Sequence, residues 1–356
     1  MDYQLNIERP KKLNQKIVIV DGLIGGGKGM LSPIVGAMPN VEMWLHRPLW
    51  ESICHMYYLD KISDVAASTY FQLASDYDIY NLQLGRELNA RPSDTTGIFK
   101  SDKIFQYLKR LLNPNDGDII ANKILNEKPV LNVMTHVLSA SSYPLFQAFG
   151  EKLTFIRLVR SPANDYMLGH LMNWTEKWSD NDLRSISITY RKDNSNLTDS
   201  VPYIVKGKED EYLGNNKIGK AILLLREWQS NGDRVIDVMN KETQSTIIEI
   251  PFEKFVFNPR DYVDTIAKSL GTFVDKRTVK AMKKQKVPRK SLTAAPATKY
   301  YRKQGWVPPP IGSNLSLEDE FNKGIEFAIS AGASQKSLDL LEELQSNYMY
   351  RYNILR

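Results

Sequence analysis

The segment "IVIVDGLIGGGKGMLSPIV" at 17–35 holds a glycine cluster, Gly22, Gly25, Gly26 and Gly27, followed by Lys28. Glycines between a β-branched run and a helical pattern let backbone N–H groups turn inward on an anion. The positive end of the following helix points at the same place. The spacing over 22–28 is that of a phosphate-binding loop, G-x-x-x-x-G-K-[ST]. The residue after the lysine is Gly29, then Met30, so the hydroxyl that holds Mg²⁺ in nucleoside-triphosphate enzymes is missing. A second metal contact would come from an Asp ending a neighbouring apolar strand. The matching run, "LTFIRLVRSP", ends instead in Arg160, followed by Ser161. A cation there repels a metal ion and suits bidentate contact with phosphate oxygens. Both positions point to phosphate held without a metal; the plainer alternative is a tight strand-to-helix connection with a surface arginine.

The elements that must position these groups follow from the apolar pattern. Strand candidates are "KIVIVDG" at 16–22, "VEMWLH" at 41–46, "PVLNVMTH" at 129–136, "LTFIRLVR" at 153–160 and "STIIEIP" at 245–251. Longer helical stretches separate them, such as that at 216–242, so the chain reads as βαβ units around a parallel sheet. The expected fold is α/β: a P-loop-type three-layer arrangement, a central parallel sheet flanked by helices. Two regions fall outside this rhythm and read as insertions covering one end of the sheet. One is 47–125, mainly helical in pattern, and the other is 176–216, polar and rich in Asn, Asp and Ser. The Pro-rich "GWVPPPIG" at 305–312 separates a core domain, 1–312, from a helical tail at 313–356 expected to pack on it. In that tail Ser316 and Asp319 have the spacing of a helix N-cap.

Composition narrows the class. The chain has 356 residues, 42% of them hydrophobic and 25% charged, which is ordinary for a globular protein with a large core. One cysteine, Cys54, excludes an internal disulfide framework and fits a reducing compartment. The N-terminal stretch is polar, unlike a signal peptide, and no run approaches the ~20 apolar residues of a membrane helix, so a cytoplasmic protein with no membrane span is expected. The net charge of +6 is concentrated: 276–303 holds eleven Lys or Arg and no acidic residue. That segment suggests a local anionic partner, or a solvated helix face and loop.

Four segments, taken together, resemble the P-loop sulfotransferase family. They are the glycine loop; "VLNVMTHVLSASSYPLFQAFGEKLTFIRLVRSPANDY"; "TIIEIPFEKFVFNPRDYVDTIAKSLG" at 246–271; and "YYRKQGW" at 300–306. They occur in the family's order and span about 16–306. The resemblance implies the donor 3′-phosphoadenosine 5′-phosphosulfate as co-substrate and a hydroxyl acceptor, a carbohydrate or small metabolite. It implies that Gly25, Gly26, Gly27, Lys28, Gly29 and Met30 hold the 5′-phosphosulfate. Arg160 and Arg302, with Lys303 and Gly305 in the same loop, would hold the 3′-phosphate, and Phe252 would lie near the adenine. His136 would be the general base and Lys28 would neutralise the leaving group. The chain departs from the family in three places. The loop lysine comes three residues late; Leu168 stands where a phosphate-binding Ser is usual, leaving Ser161 as a candidate donor; and Phe252 replaces Tyr. An unperturbed imidazole near pKa ~6.5 suits removal of a hydroxyl proton near neutral pH, and transfer of this kind requires no metal.

Other histidines carry less. His46, in "WLHRP", follows a strand and could face an acceptor, whereas His55 and His170 read as packed or surface side chains, and no Cys/His spacing resembles a zinc site. Trp174, Trp178 and Trp228 read as core, and Lys283, Lys284 and Lys286 as solvated or anion-attracting. Two alternatives use the same sequence differently. A small-molecule or nucleoside kinase would bind ATP with Mg²⁺ and call on Asp21 or Glu42. An anion- or nucleic-acid-binding module, the less favoured of the two, would use 276–303.

Overall fold

The structure, a computed structural model, describes residues 7, 9, 12–13, 16–177, 186–191, 198–292 and 316–354. Its centre is a five-stranded sheet of β1 (Lys16–Gly22), β2 (Leu45–His46), β3 (Val130–Met134), β4 (Leu153–Val159) and β7 (Thr246–Pro251), in the order β2-β3-β1-β4-β7. Every pairing in it is parallel. A separate antiparallel pair, β5 (Ser187–Arg191) and β6 (Thr198–Pro202), lies within the polar 176–216 region.

The reason for the continuous apolar runs is visible in β1. Ile17 and Ile19 face one layer, with Leu131, Val133 and Phe155 from the neighbouring strands. Val18 and Val20 face the other, with Ile156, Leu158 and Ile250. Helices cover both faces, so successive side chains are all buried, as parallel sheets require. Each such Val or Ile contributes about 1.5–3 kcal/mol when fully buried.

The 47–125 region does more than cover one end of the sheet. Its helices Pro48–Tyr58, Asp64–Leu84, Ile104–Leu111 and Asp118–Glu127 supply Trp50, Phe71, Ile79, Tyr107 and Ile120 to the first layer. A buried ion pair fixes it to the core: Arg110 donates to both oxygens of Glu42 at 2.7 and 2.8 Å. Tyr107 Oη and Gln83 Nε2 donate to the same carboxylate. Burial pushes the Glu42 carboxyl up, but Arg110 outweighs it and holds the group below its ordinary value.

The long helix Lys217–Glu242 starts on Asn216, whose side chain accepts from Gly219 N. Ser316 and Asp319 form a reciprocal capping box for the helix Leu317–Ser330. The following helix, Gln335–Tyr352, docks against the sheet's carboxyl edge. Gln345 Oε1 accepts from Ser161 Oγ at 2.7 Å, Tyr348 Oη donates to Glu253, and Arg351 donates to Asp237 and Glu249. No helix among the described residues is long and apolar enough to cross a membrane.

Candidate active site

The carboxyl ends of the parallel strands are where an open α/β sheet presents a ligand. The glycine loop follows β1, Arg47 follows β2, Thr135 and His136 follow β3, Arg160 follows β4, and Phe252 follows β7. Gly22 pairs with Leu158, and Val159 with Pro251, so Arg160 and Phe252 leave adjacent strands side by side.

Two glycines of the loop are required by space. A Cβ on Gly22 would lie 2.2 Å from the Leu158 carbonyl oxygen. Gly27 has φ 100°, and a Cβ there would meet Phe252 Cδ2 at 2.8 Å. Gly27 is also the N-cap of the helix Lys28–Gly36, which has no side-chain cap and no acidic residue in its first turn. The helix end is therefore left to an anion in both geometry and charge. Gly29 is exposed with open space above it, and Met30 is buried.

Lys28 is 5% exposed, and its ammonium is folded onto the loop itself, donating to Gly22 O at 2.7 Å and Leu23 O at 2.8 Å. Burial lowers its pKa to about 8, opposed by the nearby carboxylates of Asp21 and Glu51.

Arg160 donates from Nη1 to Gly25 O at 2.8 Å, and its guanidinium lies 4.3 Å from the centre of the Phe252 ring. Arg289 approaches the same ring at 5.5 Å and donates to Met30 Sδ. Phe252 thus has two guanidinium groups within cation–π distance. Ser161 is 2% exposed and its hydroxyl donates to Gln345, so it faces the C-terminal helix rather than the loop. Leu168 is buried in the core. Arg302, Lys303 and Gly305 lie outside the described residues, as does Trp178.

Beside the loop, His136 Nδ1 lies 3.1 Å from Glu51 Oε1, and its backbone N–H donates to the same oxygen at 2.8 Å. A carboxylate only accepts, so Nδ1 carries the proton of the neutral ring and Nε2 keeps its lone pair. Burial pushes Glu51 up, but the hydrogen bond from His136 and the nearness of the His46 ring outweigh it and bring the carboxyl down to about 2. Burial, aided by Lys28, holds His136 below the usual imidazole value, and Glu51 acts the other way. Lys28 and His136 therefore share one electrostatic environment.

His46 completes this group. Its Nε2 is 3.5 Å from Glu51 Oε1, and its ring meets that of His136 edge to face with centroids 4.6 Å apart. Two histidines and a glutamate so placed form a cluster that the sequence spacing had not indicated. His55 is packed, with its ring stacked 3.9 Å from that of Tyr203. Trp228 is buried against Trp174. Lys283, Lys284 and Lys286 are exposed, and Lys284 pairs with Asp102.

Glu51 and Arg289 escaped the sequence analysis. Glu51 stands 85 residues from His136, in the first turn of a helix of the 47–125 region, and its spacing to the histidine carries no signal. Arg289 was hidden within the basic segment.

Asp21 and Glu42, the carboxylates that a magnesium-dependent reading would use, are both saturated by protein donors. Asp21 accepts from Thr135 Oγ1, Leu138 N, Ser139 N and Ser139 Oγ at 2.6–2.9 Å. Glu42 is held by Arg110, Tyr107 and Gln83.

No protein-family model matches the sequence, and no curated protein matches it significantly. Solved structures to which the chain is similar include a sulfotransferase domain from the Synechococcus PCC 7002 olefin synthase, at 11% identity, covering 93% of this chain and 99% of that one, with TM-score 0.40. Sulfotransferase STF9 from Mycobacterium avium is similar at 10% identity, with 97% and 78% covered and TM-score 0.41. Sulfotransferase STF1 from Mycobacterium tuberculosis H37Rv is similar at 10% identity, with 82% and 76% covered and TM-score 0.37. A likeness at this level carries no weight for function, which must rest on the site.

Proposed function

We propose that the chain transfers a sulfuryl group from 3′-phosphoadenosine 5′-phosphosulfate to a hydroxyl acceptor, a carbohydrate or a small metabolite. The observation that carries this reading is the juxtaposition of a carboxylate-oriented imidazole, Glu51–His136, with the buried Lys28 of an uncapped glycine loop. The loop 25–30 would hold the 5′-phosphosulfate. Phe252 would offer a face to the adenine, with Arg160 and Arg289 supplying charge for the 3′-phosphate, and Arg302, Lys303 and Gly305 would close over it.

His136 Nε2 takes the acceptor's hydroxyl proton as the acceptor oxygen bonds to sulfur. The bond from sulfur to the bridging oxygen breaks, and adenosine 3′,5′-bisphosphate leaves with the negative charge. Glu51 supports the imidazolium so formed. Lys28 has bound two of its three donors to the loop, which leaves the third for the departing oxygen. No step calls for a metal ion.

A thermal-shift comparison tests the reading. Adenosine 3′,5′-bisphosphate without Mg²⁺ should stabilise the protein more than ATP with Mg²⁺; the reverse order would favour the kinase alternative, against which the saturation of Asp21 and Glu42 also weighs. His136→Ala should abolish turnover while leaving bisphosphate binding nearly intact. Loss of binding instead would give His136 a nucleotide-binding or structural role.

A further inference from the structure

We infer that His46, Glu51 and His136 form a binding site for a divalent transition-metal ion of the Zn²⁺ type, and that its occupancy switches the base off. The three side chains each offer one ligand atom, and these atoms all lie within 4.8 Å of one another. Zn²⁺ takes imidazole nitrogen and carboxylate oxygen at about 2.0–2.2 Å, so ligand atoms around a tetrahedral ion stand roughly 3.3–3.5 Å apart. The observed separations from Glu51 Oε1 are 3.1 Å to His136 Nδ1 and 3.5 Å to His46 Nε2. The two imidazole ligand atoms lie within 4.8 Å of each other, so an ion bound here would draw the rings together.

The donor set favours a transition metal over Mg²⁺ or Ca²⁺, since two of its three atoms are imidazole nitrogens. A second observation points the same way. His46 Nε2 is buried from solvent and has no hydrogen-bond partner, although it is aimed at Glu51. A buried ring nitrogen without a partner is costly, and a metal ion would satisfy it. Lys28 lies close enough to disfavour charge on His136, and that repulsion works against the ion; the ionised Glu51 offsets it.

The consequence for the reaction rests on the proposed role of His136 as base. A metal on Nδ1 displaces the proton shared with Glu51, and the neutral ring then carries its proton on Nε2. That nitrogen becomes a donor and cannot accept a proton from the acceptor hydroxyl. The ion would thus act as an inhibitor of the transfer rather than as a participant.

Co²⁺ titration of the tag-free full chain, followed by its visible d–d absorption, tests the site without substrate and so independently of the assigned reaction. The expected result is a saturable band at one ion per chain, displaced by Zn²⁺. His46→Ala should weaken Co²⁺ binding at least tenfold, since losing even a group that only orients a ligand costs about 10–100-fold, while His170→Ala leaves it unchanged. His46→Asn serves as a second variant should the alanine fail to fold. Absence of a saturable band, or undiminished binding in a folded His46 variant, overturns the site. In turnover assays, Zn²⁺ inhibition should track occupancy and weaken at least tenfold in the same variant; inhibition that persists there overturns the switch.

Discussion

Binding of an anion at the glycine loop should draw a proton onto the protein, because Lys28 is the one loop cation whose charge is incomplete near neutrality. Burial holds its pKa at about 8, so at pH 8 about half of the molecules carry a neutral amine, and at pH 7 about a tenth do. A phosphate or sulfate oxygen beside the amine favours the ammonium and raises its pKa. Binding adenosine 3′,5′-bisphosphate should therefore take up roughly half a proton per site at pH 8, roughly a tenth at pH 7 and nearly one at pH 9. At pH 8 and above the ligand does not blur this result, since phosphate monoesters lose their second proton near pKa ~6. At pH 7 each phosphate still holds roughly a tenth of a proton, as much as the uptake itself. His136, held below the usual imidazole value, is neutral at pH 8. Isothermal titration calorimetry in HEPES and in Tris, whose ionisation heats differ, reads the uptake directly. By linkage the affinity should fall as pH rises above 8, approaching about tenfold per unit. No net uptake at pH 8, or the same uptake in Lys28→Met, would show that Lys28 does not face the bound anion.

Three further outcomes are expected. Gly27→Ala forces a side chain onto φ 100° and into the Phe252 ring, so it should cost about 1–3 kcal/mol in urea unfolding and weaken bisphosphate binding as the ring shifts. Arg110→Met strands the buried Glu42 carboxylate and should cost about 3–5 kcal/mol, whereas Arg110→Met combined with Glu42→Met should recover most of that; an equal loss in the double variant would refute the pairing argument. Arg289→Ala should weaken bisphosphate binding about tenfold in calorimetry with little change in the unfolding midpoint, since its guanidinium is placed over Phe252 at the ligand end of the sheet.

The sheet was legible because its strands are buried on both faces and so appear as unbroken Val, Ile and Leu runs, and β1 spans the expected residues. The second strand shrank to Leu45–His46, with Val41 making only an isolated bridge to Val130, because Glu42 turns aside into the ion cluster with Arg110. The 47–125 region read as helical, but its layer did not. The helix Asp64–Leu84 buries Ser75, Asp76, Asp78, Asn81 and Gln83 along with its apolar side chains, so no clean apolar stripe marks the face it presents. In the site, the loop, His136 and Arg160 were visible because each follows a strand. Glu51 was not, because its meeting with His136 depends on how a helix from the first layer crosses the sheet edge.

The clasp of the helix Gln335–Tyr352 on Ser161 and Glu253 has a consequence for the order of assembly. Ser161 meets Gln345 across 184 residues of chain, and Tyr348 reaches Glu253 across 95. Glu253 is buried beside Arg160, and without Tyr348 its carboxyl would lack the hydroxyl donor it now has. Contacts this distant form late, after the loop-closure entropy has been met. The Arg160 side of the cleft therefore depends on the docking of the helix Gln335–Tyr352. Without that helix Ser161 and Glu253 lose these partners, so a chain cut before Gln335 should loosen on the Arg160 side of the cleft.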